Sequence, residues 1–180
     1  MDSTPVNQVL AAGGPRHSRP LRHLEDLARS PYVFGTEFGL DALPEEPALL
    51  LIRGARQYGK STWMEQQVRE TTCRHGPAPA YLLDGDELRD EDALLAGVRG
   101  LVPLFRSGAL VRRLFIDEVT AIRNWQRGLK RLLDAGELRD VLVFTTGPRA
   151  TDACARRQRT PARLTVRQSA AWPTAGRQRP

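Results

Sequence analysis

The stretch Arg53 to Trp63, RGARQYGKSTW, follows five apolar residues, ALLLI (48–52), and carries two glycines followed by Lys, Ser and Thr. Gly54-Ala55-Arg56-Gln57-Tyr58-Gly59-Lys60-Ser61 fits GxxxxGK[ST]. In such a loop, successive backbone N–H groups turn inward onto phosphate oxygens, and glycine permits both the backbone angles and the close approach. A helix that begins at the ligand adds its free N–H groups and positive dipole end. Lys60 is then the side chain for the β- and γ-phosphates, and the Ser61 hydroxyl the one for Mg²⁺. Thr62 completes the expected nucleotide contacts. Arg56 and Tyr58 lie within the loop, where a solvent-facing role is equally open. The competing reading is a glycine-containing surface turn before a helix. A buried strand before the loop and a helix after it favour the phosphate site.

A nucleotide's Mg²⁺ also needs a carboxylate at the end of a neighbouring strand, usually reached through water. Leu114-Phe115-Ile116-Asp117-Glu118 supplies three apolar residues and then two acids. Asp117 is placed on the metal side, and Glu118 as the general base for an attacking water. The alternative is that the pair caps the next helix. Thr145 and Thr146 close a later β-branched run, DVLVFTT, where a hydroxyl can orient water near the γ-phosphate. Strand propensity alone explains them equally well. Asp84 and Asp86, after the second apolar run, could also face the site but read rather as loop and helix-start residues, and Trp125 as core rather than a ligand contact.

These residues need a scaffold. Short apolar runs at 48–53, 80–83, 111–117 and 140–146 alternate with helical patterns at 60–72, 91–105 and 121–134. Such alternation implies an α/β layered fold with a mainly parallel sheet. Leu21, Leu24 and Leu27 space a further short helix over 21–29. The expected domains are a disordered segment 1–22, a three-layer core 23–150 and a basic, disordered tail 151–180.

Bulk properties exclude several classes. No apolar run approaches the ~20 residues of a membrane span, and the N-terminus lacks a secretory pattern. Cys73 and Cys154 form no CxxC, and His17, His23 and His75 have no zinc spacing, so a reduced, cytoplasmic setting is expected. The chain of 180 residues carries a net charge of +6. Eight arginines from Arg149 onward, against Asp152, give that tail +7, so residues 1–148 sum to −1. The basic character belongs to the tail and not to the fold.

GARQYGKST, LFIDEVTAIRNWQRGLKRLLDAG and VFTTGPRATD together resemble prokaryotic AAA-type ATPases. Their phosphate loop commonly reads GPRQVGKTT, their acidic strand LFLDEIQ, followed by a Trp and Lys in "W…LKRLYD" and a strand ending TGSS. The resemblance covers about residues 24–150. It implies an AAA+-like P-loop core that takes ATP and Mg²⁺, with Lys60 and Ser61 as nucleotide and metal contacts. It also implies Asp117 as the metal-side acid, Glu118 as the base and Thr146 as a sensor residue. ATP rather than GTP follows from this resemblance. Thr120 stands where the family carries Gln, and Pro148-Arg149 where it carries Ser-Ser.

The family's helical lid and further C-terminal domain are not recognisable after residue 150. The Arg-rich tail is expected to be a non-native continuation, from truncation or a frame error, with weak hydrolysis as the consequence. Homo-oligomerisation or a missing C-terminal domain is the expected partner relationship. Two other functions compete: a non-enzymatic nucleic-acid binder acting through the tail, and a small P-loop kinase.

Overall fold

The computed structural model of the chain describes residues 3–12, 21–30, 43–54 and 59–148. Four strands, β1 (Leu49–Gly54), β2 (Ala80–Asp84), β3 (Arg113–Asp117) and β4 (Leu142–Pro148), form one sheet in the order β1-β4-β3-β2. Every pairing is parallel. Among the described residues five α-helices surround it: α1 (Ser3–Ala11), α2 (Arg22–Arg29), α3 (Lys60–His75), α4 (Glu91–Leu101) and α5 (Trp125–Asp134).

Successive strand side chains point to opposite faces, and the strands here are apolar on both. Leu50, Ile52, Leu82, Phe115, Leu142 and Phe144 pack with α1, α2 and α3. Tyr81, Leu83, Leu114, Ile116 and Val143 pack with Leu94, Leu95 and Val98 of α4 and Leu129 and Leu132 of α5. The expected three-layer α/β architecture is thus the observed one, and unbroken apolar runs such as LLLI are the pattern of strands covered on both sides. Aromatic contacts reinforce the first layer: Trp63 of α3 lies 5.3 Å from Phe144, which lies 5.7 Å from Phe115.

The N-terminal expectation needs correction. Residues 3–11 form α1, where the sequence pattern gave no element within 1–22. Val6 and Leu10, one turn apart, are buried in the core. Asn7 lies against the outer edge of β2, donating to the Leu82 carbonyl at 2.6 Å and accepting the Leu82 N–H at 2.8 Å. A nine-residue helix is marginal by itself; this one is held by docking, which local periodicity does not reveal. Residues 1–2 and 13–20 and the tail 151–180 lie outside the described residues.

Element ends also shift. α4 stops at Leu101 and a 3₁₀ turn follows over Val102–Leu104, where Pro103 cannot continue the α-helical ladder. The helix expected from 121 starts at Trp125, because Asn124 takes a left-handed conformation (φ 57°) after a 3₁₀ turn over Val119–Ala121. Trp125 is half-buried against the α4–α5 core, as its position on the apolar stripe implies. Leu133, counted on that stripe, is 37% exposed.

Arg113 anchors the opposite end of the sheet. It is buried, and its guanidinium donates to Thr71 Oγ1 at 2.7 Å and to the carbonyls of Leu43 and Pro44 at 3.0 and 3.1 Å. Burial lowers its pKa.

Candidate functional site

Because the strands are parallel, their carboxyl ends share one edge. β4 lies between β1 and β3, with Ile52 beside Thr146 and Thr145 beside Ile116. Neighbouring strands are ~4.8 Å apart, so the exit of β1 and the acids of β3 lie roughly 10 Å from each other, on either side of Thr146.

β1 ends at the buried Gly54, and α3 begins at Lys60 after Gly59, which adopts φ 71°. The amide groups of the first turn of α3 therefore open onto the sheet edge, the arrangement that binds anions. Lys60 is only 5% exposed, and its Nζ donates to the Gly54 carbonyl at 3.4 Å, folding back across the loop. Ser61 and Thr62 are half-buried in that turn. Ala55, Arg56, Gln57 and Tyr58 lie outside the described residues.

The acids and threonines form one hydrogen-bonded unit. Thr146 Oγ1 donates to Asp117 Oδ1. The amide N–H of Glu118 lies 3.0 Å from both Asp117 Oδ1 and Thr146 Oγ1. These bonds converge on Oδ1 of Asp117 and fix the carboxylate, while Oδ2 takes no part in them. Glu118 itself is left-handed, φ 42° and ψ 44°, in a residue type that rarely adopts this conformation. Such strain persists where surrounding structure holds it, commonly at functional sites. Thr145 turns elsewhere: its hydroxyl donates to the Leu50 carbonyl at 3.0 Å, fastening β4 to β1. Asp84 sits beside Asp117 in the sheet and caps the following 3₁₀ turn by accepting from the Asp86 N–H at 3.0 Å, in line with the loop reading.

Sequence patterns gave no sign of a second group beside the acids. His23 of α2 and Glu65 of α3 line a small cavity with Ser3, Met64, Leu82, Asp84 and Asp117. Glu65 is 1% exposed; it accepts from the Leu24 N–H at 3.0 Å and pairs with His23 Nδ1 at 2.7 Å. The pKa of His23 is raised, first by the hydrogen bond to Glu65 and then by the negative charge of Glu65 and Asp117, against burial and Arg22. These residues lie 42 positions apart in the chain, and only packing of α2 on α3 brings them together.

The donor chemistry suits a hard divalent cation arriving with a polyphosphate. Asp117 offers a fixed carboxylate and Ser61 a hydroxyl at a helix start, both oxygen donors, and Mg²⁺ favours few protein ligands plus phosphate oxygens.

Among the described residues no helix is long and apolar enough to cross a membrane. Comparison with curated proteins yields no match. A family model described as an AAA domain matches residues 46–167, more than half of the chain, running from just before β1 through β4 and seventeen residues beyond Ala150, where the motif resemblance ends. AAA domains generally bind ATP with Mg²⁺, and the match points to a nucleotide-binding, ATPase-like core. With its all-parallel sheet and loop-to-helix edge, the chain belongs to the AAA domain family.

Proposed function

We propose that this chain binds Mg-ATP at the carboxyl edge of its sheet, using Gly54–Thr62 for the phosphates, and hydrolyses it slowly. The observation carrying this reading is the hydrogen-bonded unit of Asp117, Glu118 and Thr146, placed one strand away from the loop that ends at the buried Lys60. A loop without acids, or acids without the loop, would not make this site.

Each residue has a distinct task. The amide groups at the start of α3 and the Lys60 ammonium hold the β- and γ-phosphates. Ser61 and Asp117 hold the cation, directly or through its water. Mg²⁺, when bound, neutralises charge on the phosphate oxygens. Glu118 takes a proton from water as its oxygen bonds to the γ-phosphorus and the bridging oxygen departs with ADP. Thr146 keeps Asp117 and the Glu118 backbone in place.

The slow turnover is part of this reading and is supported by what the described residues offer, which is positioning, a base and a cation site. AAA-type sites are commonly completed by an arginine from a lid or neighbouring subunit, and such a group is worth ~10³–10⁵ in rate. The Glu118→Gln variant tests the assignment of the base. Mg-ATP affinity should be retained while phosphate release in single turnover falls about 10²- to 10⁴-fold. Equal rates in the variant and the wild type would remove Glu118 from the mechanism.

A further inference from the structure

The loop carrying Asp117 and Glu118 is wedged between the ends of its two neighbouring strands, at two places where no side chain fits. Beyond β2, a Cβ on Gly85 would stand 2.5 Å from the Glu118 carbonyl oxygen and 2.7 Å from that of Asp117. On β4, a Cβ on Gly147 would stand 2.8 Å from Cγ2 and 3.2 Å from Oγ1 of Thr120. Thr120 is β-branched, with a stiff χ1, so its γ atoms report the position of the backbone that carries it.

That backbone has little room to retreat. Thr120 lies in the 3₁₀ turn Val119–Ala121, which starts at the left-handed Glu118. Val119 is fully buried and Ile122 is 2% exposed, so the turn is pinned into the α4–α5 core on either side of Thr120. Pressure at Gly147 therefore passes along the turn to Glu118 and Asp117. Gly147 also directly follows Thr146, whose hydroxyl holds the same two residues. β4 thus grips the acid loop twice, by hydrogen bonds at Thr146 and by packing at Gly147.

We propose that Thr120 and Gly147 form a fitted pair of positioning residues that sets Asp117 and Glu118 for the cation and water of the bound nucleotide. The proposal rests on the Mg-ATP reading above. Thr120 touches no reacting atom in this account and acts through the loop. It also gives a physical role to a position at which this chain departs from the family pattern.

The test compares ATP affinity of the full chain in excess magnesium with that in EDTA, alongside the melting temperature of the nucleotide-free protein. In Gly147→Ala, the affinity in EDTA should stay within about twofold of wild type while the magnesium enhancement falls by about 3- to 100-fold, the range for coupled neighbours. Its melting temperature should fall as well. Adding Thr120→Ala removes both clashing γ atoms, so the double variant should regain the enhancement to within about twofold and recover the melting temperature. If Gly147→Ala does not fold alone, a folded double variant still supports the pair, and an unfolded one overturns it. A Gly147→Ala protein indistinguishable from wild type overturns the proposal, as does a double variant without recovery or a wild type whose ATP affinity ignores magnesium. A folded wild type that binds no ATP at all overturns the nucleotide reading instead, and the melting comparison then still decides whether the two residues are a fitted pair.

Discussion

Thr146 donates its hydroxyl hydrogen to Asp117 Oδ1 and lies 3.0 Å from the amide nitrogen of Glu118, so one side chain of β4 holds both Asp117 at the end of β3 and Glu118 just beyond it. The hydroxyl of its neighbour Thr145 donates instead to the Leu50 carbonyl of β1. The two hydroxyls therefore separate function from structure. Thr146→Val should destabilise the chain by about 1.5–3 kcal/mol, chiefly through the lost bond to the Asp117 carboxylate, since the Glu118 N–H keeps Asp117 Oδ1 as a partner, and should weaken Mg-ATP binding. Thr145→Val should cost about 0.5–1.5 kcal/mol for the hydrogen bond lost to the Leu50 carbonyl, and leave Mg-ATP affinity unchanged. Urea unfolding and nucleotide titration of both variants check this. Equal loss of affinity in the two would show that Thr146 matters only for the fold.

α1 should prove to be part of the core. Asn7 satisfies both backbone groups of Leu82 on the outer edge of β2, and Leu10 is fully buried. Leu10→Ala should cost about 2–5 kcal/mol, and Asn7→Ala about 1–3 kcal/mol for each backbone group left unpaired. Amide exchange at Leu82 should accelerate in Asn7→Ala. Unchanged exchange and stability would mean that α1 is not docked in solution.

The His23–Glu65 contact gives a pH signature. His23 is raised above its ordinary value of 6.5, chiefly by the hydrogen bond to Glu65. The folded chain therefore holds this proton more tightly than the unfolded one. The resulting stabilisation is complete below the unfolded value and is lost as pH rises through the higher folded value. The stability gap between wild type and His23→Ala, measured in EDTA without nucleotide, should narrow as pH rises from about 6 to about 9. A constant or widening gap would contradict the assignment. In a Glu65→Gln background this narrowing should shrink or reverse, because burial and Arg22 then act against Asp117 alone.

Much of this architecture was legible in the sequence because it depends on short-range pattern. ALLLI and LFI read as strands covered on both faces, and Gly54 to Ser61 and Asp117-Glu118 announce themselves by spacing. The rest depends on distant packing. α1 has two core contacts and one asparagine at a sheet edge, none of which forms a periodic signal in nine residues. His23 meets Glu65 across 42 positions. The two threonines look alike in sequence, and only the register of β4 against β1 and β3 assigns them different partners. The departure at Thr120 was visible, but its contact with Gly147 was not, since it needs the ends of β3 and β4 side by side. Ala55–Tyr58 remain a sequence-based expectation, as they lie outside the described residues.

The most direct measurement is titration calorimetry of Mg-ATP into the full chain and its Lys60→Ala variant, with circular dichroism to establish that both are folded. The account predicts saturable binding in the wild type and its loss in the variant, because it assigns the buried Lys60 ammonium beside Gly54 to the phosphates. A folded wild type without binding, or a variant that binds equally well, would contradict it.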